Sequence, residues 1–358
     1  MLKVASFFSG GFGSQILALK SLKIDYHEVF ACEINKDAVK SYINNHGEPE
    51  SFYEDITTMD GTKYKGLIDY LHLSPPCQSY SIQGNRKGAK DDRGGLMFEA
   101  IKKIDEIQPK MFTIENVKGL LSSNGGQDWR NILSDLRKLN YTISYGVMRA
   151  DNHGTPQTRQ RVMIVGFRAK CMPMAFPLPI QLKTNVLDLL EKDVDEKYFL
   201  TDKQIAKYTV DENVKQNKCI VKTNDSTGFK TVNHADCIDL SFPNSTERRG
   251  RVQVQKSQTL DTSCNIGVLL EDDVSYKIRR LTPREASRVQ GDFEDMFDLG
   301  DFSDSKLFFF IGNAIDINTM KALISKILTH SEEITFMDPQ PCSFEKSAEK
   351  EEITLFDT

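Results

Sequence analysis

Four clusters in this chain have residue types and spacings suited to chemistry. Ser74-Pro75-Pro76-Cys77-Gln78-Ser79 directly follows an apolar run with the pattern of a strand. Two prolines stiffen the backbone and project Cys77 from a rigid loop. A thiolate in that setting is a candidate nucleophile, although an isolated cysteine is more often a small core residue. Glu115-Asn116-Val117 leaves a second buried-strand pattern at 111–114. Its carboxyl is a candidate general acid or hydrogen-bond partner, and the bland alternative is an acid at a helix start. Gln157-Thr158-Arg159-Gln160-Arg161 precedes a third strand pattern. Alternation in an extended segment predicts that Arg159 and Arg161 project together. They would form a guanidinium pair for phosphate, carboxylate or a carbonyl, or an ordinary surface salt-bridge pair.

The fourth cluster is the turn Phe8-Ser9-Gly10-Gly11-Phe12-Gly13-Ser14. Glycines between a buried strand and a helix let backbone amides approach a ligand and relieve strain in the turn. Glu33 follows about 20 residues later, at the end of the next strand pattern, where an acid can bond the ribose hydroxyls of a nucleoside. No Gly-Lys-Ser/Thr follows the glycines, which excludes a P-loop. Together the turn and Glu33 predict a nucleoside-bearing cofactor; the alternative is an ordinary turn and a solvated glutamate.

These clusters need elements to hold them. Strand patterns at 4–8, 29–32, 67–73, 111–114 and 161–166 alternate with helical spacing at 15–23, 37–44, 97–107 and 129–139. Such alternation predicts an α/β fold with a parallel sheet covered on both faces. Pro173, Pro177 and Pro179 then punctuate a linker, and up to about 277 only short β-like runs stand out, at 219–221 and 266–270. This predicts a second, irregular and partly β domain. Thr282-Pro283-Arg284-Glu285 has the cap, the proline and the third-position acid of a helix start. A strand-like run at 307–311 and a helix at 318–328 follow, and the last 28 residues read as a mobile acidic tail.

Bulk composition narrows the classes. With 358 residues, 39% hydrophobic and 27% charged, the chain suits a packed globule of two domains. No apolar run approaches the roughly 18 residues of a membrane helix, and the first ten residues are too short for a signal peptide. Seven scattered cysteines without zinc spacing favour reduced thiols in a cytoplasm, with no metal expected. The net charge of −5 is uneven: residues 331–358 carry −6, which leaves the other 330 at +1. A near-neutral body of that kind neither requires nor excludes a basic groove.

Taken in order, the clusters resemble the motif series of the DNA (cytosine-5) methyltransferase family over about 4–328, interrupted at 169–277. Pro76-Cys77-Gln78 is similar to the catalytic Pro-Cys-Gln, Glu115-Asn116-Val117 to Glu-Asn-Val, and Gln157, Arg159 and Arg161 to Gln-x-Arg-x-Arg. Asp92-Arg93-Gly94-Gly95-Leu96, Arg280-Leu281-Thr282-Pro283-Arg284-Glu285 and Gly312-Asn313-Ala314 resemble further motifs. The chain departs from the family at the shifted glycines Gly10-Gly11-Phe12-Gly13, at Ser74 where an apolar residue is commoner, and at Phe310 in place of a frequent glutamine.

The resemblance implies a Rossmann-like methyltransferase domain at 1–180 and 308–330 that takes S-adenosyl-L-methionine. A target-recognition domain would occupy 181–307. It implies that Cys77 attacks a cytosine ring, that Glu115 bonds its N3 edge, that Arg159 contacts its carbonyl, and that Arg161 buttresses the loops. Phe8, Gly10, Gly13, Glu33, Ile34, Asp55, Ile56, Pro76, Leu96 and Asn313 would contact the cofactor. Gln78, Ser81, Arg248, Arg249 and Arg251 would contact double-stranded DNA, whose target base must be flipped out. A cytoplasmic monomer is expected, with a separately acting restriction endonuclease as one potential partner. Glu352-Ile353-Thr354-Leu355-Phe356 loosely resembles peptides that dock on sliding clamps, the alternative being an incidental tail.

Three rivals remain at this point. An amino methyltransferase shares the Ser-Pro-Pro stretch but carries an aromatic residue at position 77. A tRNA cytosine methyltransferase has the same fold, and a silent DNA-binding module would need none of Cys77, Glu115 and Arg159.

Overall fold

The computed structural model describes residues 1–76, 95–210, 219–224, 226–245, 251–271 and 276–343. Cys77, Gln78, Ser81, Arg248, Arg249 and the 352–356 segment lie outside the described residues. The chain forms two compact units. One comprises Met1–Met148, Gln160–Pro177 and Lys321–Thr358, the other Arg149–Arg159 and Leu178–Met320.

The first unit is built on a seven-stranded sheet. Its elements are β1 (Leu2–Phe7), α1 (Ser14–Ser21), β2 (Tyr26–Cys32), α2 (Lys36–His46), β3 (Ser51–Tyr53), β4 (Tyr70–Leu73), α3 (Gly95–Ile107), β5 (Met111–Val117), α4 (Gln127–Lys138), β6 (Thr142–Arg149) and β7 (Gln160–Phe167). The strand order is β3-β2-β1-β4-β5-β7-β6. From β1 the chain moves outward to β2 and β3, then returns to place β4 on the other side of β1. That reversal opens a crevice at the carboxyl ends of β1 and β4, the usual ligand position in open α/β sheets. The glycine turn follows β1 and the Pro-Pro loop follows β4, so the sheet order brings both to this edge. All four residues of β4 are buried, and Phe7, Phe30, Leu73, Ile104, Phe112 and Ile114 belong to one apolar core.

Two sequence expectations change here. The sheet is parallel only from β3 to β5, since β7 runs antiparallel to β5. The strands β3 and β6 were not expected. β3 has three residues, and β6 leaves Tyr145 and Val147 exposed, so neither carries a clear apolar pattern.

The second unit contains α5 (Asp202–Ile205), β8 (Cys219–Lys222), β9 (Phe229–Val232), β10 (Cys237–Asp239), β11 (Val252–Gln253), β12 (Ile266–Glu271), β13 (Tyr276–Arg280), α6 (Pro283–Val289) and α7 (Asp304–Asn313). α8 (Ile317–Glu332) begins in it. β11-β10-β12-β13 form an antiparallel sheet, and β8 pairs with β9. α6 starts with the expected capping box between Thr282 and Glu285. Glu285 also takes a buried, two-pronged bond from Arg279 at 2.6 and 2.7 Å. One carboxylate thus caps the helix and neutralises a core guanidinium.

The stretch expected as a strand at 307–311 is part of α7; a short apolar run alone does not distinguish the two forms. Residues 308–320, expected in the catalytic domain, group with the second unit, where Gly312 packs closely on the Asp261–Thr262 backbone. A Cβ there would lie 2.3 Å from the Asp261 carbonyl oxygen. The stretch Asp304–Glu332, which holds α7 and α8, passes a length and hydropathy test for a membrane span, but two thirds of its most apolar window is buried in the protein.

The mobile tail expected from 331 is corrected over its first part. Met337 N bonds the Arg168 carbonyl at 2.8 Å, and Ser343 N bonds Asp105 Oδ2 at 2.6 Å. Gln340 and Gln108 exchange bonds of 2.6 and 2.7 Å, and Cys342 is buried. Prolines at 339 and 341 suit such an extended strap, and most of the tail's acids come after it.

Candidate active site

At the end of β1 the backbone turns sharply: Phe8, Gly10 and Gly13 all have positive φ. Gly13 heads α1, and a Cβ there would meet His46 Nε2 at 2.3 Å and Tyr42 Cε2 at 2.9 Å. Both the backbone angle and the close approach of α2 therefore demand glycine. Burial pushes His46 down to about 3, so the ring is neutral. It bonds the Phe12 carbonyl through Nε2 at 3.1 Å and faces Lys20 Nζ through Nδ1 at 3.4 Å. With one ring proton to place, Nε2 donates to the carbonyl and props the turn.

Glu33 closes the turn from the end of β2, accepting from Gly10 N at 3.0 Å and from Asn35 N at 2.8 Å. A carboxylate has about four acceptor positions, so capacity remains for a pair of ribose hydroxyls. Beside it Ile34 is 72% exposed, an apolar face available to a planar base. At Gly10 a Cβ would meet nothing within 4 Å, so the turn is open there. These features fit a nucleoside cofactor. Asp55 accepts from Thr57 N and Thr57 Oγ1, both at 2.8 Å. The Ile56 side chain lies in the core, which leaves its backbone to serve a ligand. Pro76 is exposed, and Leu96 packs partly against the core.

The second part of the site lies where β4 and β5 end. Glu115 Oε1 pairs with Arg161 Nε at 2.7 Å, both side chains being largely enclosed. The two residues come from adjacent strands with Glu115 opposite Met163, so Arg161 reaches across the pair. Asn116, next to Glu115, donates from Nδ2 to the Pro75 carbonyl at 2.9 Å. Two positions before Cys77, the Pro-Pro loop is therefore tied to β5.

Arg159 does not share a face with Arg161. β7 begins at Gln160, so strand alternation does not extend back to Arg159. Its guanidinium is buried in the second unit, donating to the carbonyls of Leu260 (3.1 Å), Gly312 (3.1 Å) and Ala314 (2.6 Å). Gln157, also buried in that unit, bonds the Val289 carbonyl at 2.7 Å and the Gln290 side chain at 2.9 Å. Asn313 ends α7 with an exposed side chain. Arg251 pairs with Asp239 at 2.8 Å while remaining 57% exposed.

The sequence pattern of the C-5 cytosine-specific DNA methylases matches residues 2–329. The chain belongs to that family. Similar relatives include the Type II methyltransferase M.DsaV of Dactylococcopsis salina, 33% identical, with 84% of this chain and 80% of the relative covered. The Type II methyltransferase M.SsoII of Shigella sonnei is also 33% identical, with coverages of 84% and 74%. In fold the chain resembles the crystal structure of a Spodoptera frugiperda DNMT2 mutant, with TM-score 0.65, 18% identity, and 92% and 100% coverage. S. pombe Dnmt2 is similar at TM-score 0.64, 21% identity, and 92% and 99% coverage.

In this DNA methylase, Glu33, Glu115 and Arg161, singled out in the sequence, stand at or near the strand ends of the first unit, and a buried pair that the motifs did not single out, His72 and Thr113, lies beside them. These lie on β4 and β5, joined at 2.8 Å, and His72 also reaches Ser74 at 3.0 Å. A signal was present in part: His72 alternates with Tyr70 along the strand, and Ser74 follows its end by one residue.

Proposed function

We propose that this methylase modifies carbon 5 of a flipped-out cytosine in a specific duplex sequence, with Cys77 as the nucleophile. The observation that carries the reading is the bond from Asn116 to the Pro75 carbonyl beside the Glu115–Arg161 pair. It ties the thiol's loop to the strand that presents the carboxylate. Cytosine carbon 5 is a poor nucleophile. Addition of the Cys77 thiolate at carbon 6 makes it enamine-like, which divides one hard step into two easier ones. Glu115 would bond N3 and the exocyclic amine and so favour the protonated ring in the adduct.

Because Arg161 is the arginine beside Glu115, we assign to it the contact with the cytosine carbonyl that the sequence suggested for Arg159. Arg159 instead holds three backbone carbonyls. S-adenosyl-L-methionine, held by Glu33, Ile34, the glycine turn, Asp55 and the Ile56 backbone, would supply an electrophilic methyl group. Once carbon 5 is methylated, a water molecule takes its proton and the Cys77–carbon 6 bond breaks, restoring the thiolate.

The second unit is the candidate for sequence recognition, with Arg251 and, outside the described residues, Gln78, Ser81, Arg248 and Arg249 as DNA contacts. The chain's likeness to Type II methyltransferases suits a place in restriction–modification, and to this we add a separately acting restriction endonuclease and a bacterial cytoplasm as its setting.

The test joins two measurements. Duplex DNA containing 5-fluorocytosine should trap a covalent complex with the wild-type protein and none with Cys77→Ala. Bisulfite sequencing of DNA from expressing cells should show methylation in one sequence context. Methylation without a trapped adduct would exclude the thiol mechanism, and transfer to tRNA but not to duplex DNA would exclude the substrate.

A further inference from the structure

A buried polar chain runs beneath the Pro-Pro loop along one face of β4 and β5. Tyr70 Oη and Thr113 Oγ1 are 2.8 Å apart, Thr113 Oγ1 and His72 Nδ1 are 2.8 Å apart, and His72 Nε2 and Ser74 Oγ are 3.0 Å apart. Strand register sets this up, since His72 stands opposite Thr113 and Tyr70 precedes His72 on the same face. We infer that His72 is a positioning residue for the catalytic loop, coupling Ser74 at the exit of β4 to Thr113 on β5.

The direction of the hydrogen bonds follows from what is buried. Tyr70 is 2% exposed, and among the described residues its hydroxyl bonds only Thr113. Its proton must point there, because an unshared phenol proton in the core is costly. Thr113 is then left to donate to His72 Nδ1. Burial pushes His72 down to about 3, so the ring is neutral and carries one proton, which sits on Nε2 and is donated to Ser74. Ser74 is held as an acceptor, in a definite orientation, by a chain that begins four residues earlier. Asn116 holds the next residue, Pro75. Two side chains of β5, one directly and one through His72, therefore fix consecutive positions immediately before Pro76-Cys77.

This inference rests on Cys77 being the nucleophile, and the experiment separates the two. Formation of the 5-fluorocytosine adduct and steady-state kinetics are measured for the wild type, Ser74→Ala, Thr113→Val, His72→Phe, His72→Gln and the Ser74→Ala/His72→Phe double variant. Ser74→Ala, Thr113→Val and His72→Phe should each slow adduct formation and kcat by roughly tenfold, with KM for DNA within about twofold. The double variant should be no slower than either single one. Glutamine, whose Nε2 can occupy the imidazole Nε2 position, should restore most of the rate. Should His72→Phe fail to fold, Ser74→Ala and Thr113→Val still decide the matter. Wild-type adduct formation with Ser74→Ala at the wild-type rate, or additive losses in the double variant, would overturn the role of His72. No adduct from the wild type would overturn the Cys77 reading, and this inference with it.

Discussion

Arg159 and Arg161 are two residues apart and occupy different chemical worlds. Arg161 pairs with the Glu115 carboxylate, whereas Arg159 satisfies the carbonyls of Leu260, Gly312 and Ala314 inside the second unit. Substitution should therefore affect the two differently. Arg161→Ala removes the cation that orients Glu115 and is expected to lower kcat by about a hundredfold, with some loss of stability as well, because it leaves an enclosed carboxylate unpaired. Arg159→Ala strands three carbonyls and should cost about 2–4 kcal/mol of stability. Urea denaturation alongside single-turnover kinetics would check both, and a purely kinetic Arg159→Ala would return that residue to the reaction. The motif made both arginines visible in the sequence. Their division of labour was not, because it depends on β7 starting between them and on carbonyls 101 to 155 residues away.

Among the elements, the parts legible in the sequence were those with a strong period. β1, β2, β4 and β5 carry apolar runs, and α3 and α4 apolar repeats, that match their burial, and the Thr282–Glu285 box marked the start of α6. β3, β6 and the helical state of α7 escaped because three residues, a half-exposed edge and a phenylalanine run carry no distinguishing period. Packing between elements was equally hidden, and Glu28 on β2 shows its consequence. Glu28 accepts from the Tyr42 hydroxyl of α2, and desolvation by burial raises its carboxyl to about 7 from an ordinary 4.5. The folded protein therefore holds this proton more tightly than the unfolded chain. Its stabilising effect is fully present below about 4.5 and is lost as pH rises through about 7. Ionisation should cost up to about 3 kcal/mol by pH 8. Glu28→Gln keeps an acceptor for Tyr42 and removes the titration. It should equal the wild type near pH 4.5 and exceed it in stability at pH 8, and parallel pH–stability curves for the two proteins would refute the assignment. On the neighbouring turn, Gly13→Ala should abolish cofactor binding measured by calorimetry, because the new methyl would collide with His46 and Tyr42.

At the level of the whole chain, the methylase returns to its first unit only at the end. Lys321–Thr358 belongs to the same unit as the opening strand, although more than 140 residues of the other unit intervene. The strap at 333–343 secures that return. Arg168 and Gln108 bind it through backbone and amide groups, Asp105 caps Ser343, and Pro339 lies where a Cβ on Gly66 would stand 2.6 Å from its Cγ. Each bond contributes about 1 kcal/mol net, and burial of Cys342 adds apolar area. A chain ending at Ser343 keeps every one of these contacts, and a chain ending at Glu333 keeps none. The shorter form should lose roughly 3–5 kcal/mol relative to the longer, by the same per-bond reckoning. Its melting temperature should fall accordingly, whereas methyl transfer by the fraction still folded should continue, since the strap's bonds run to Arg168, Gln108 and Asp105 rather than to Glu33, Glu115 or Arg161. Equal stability of the two truncated chains would show that the segment merely rests on the surface. If the shorter form instead stayed folded and lost activity, the strap would have to act on the site itself.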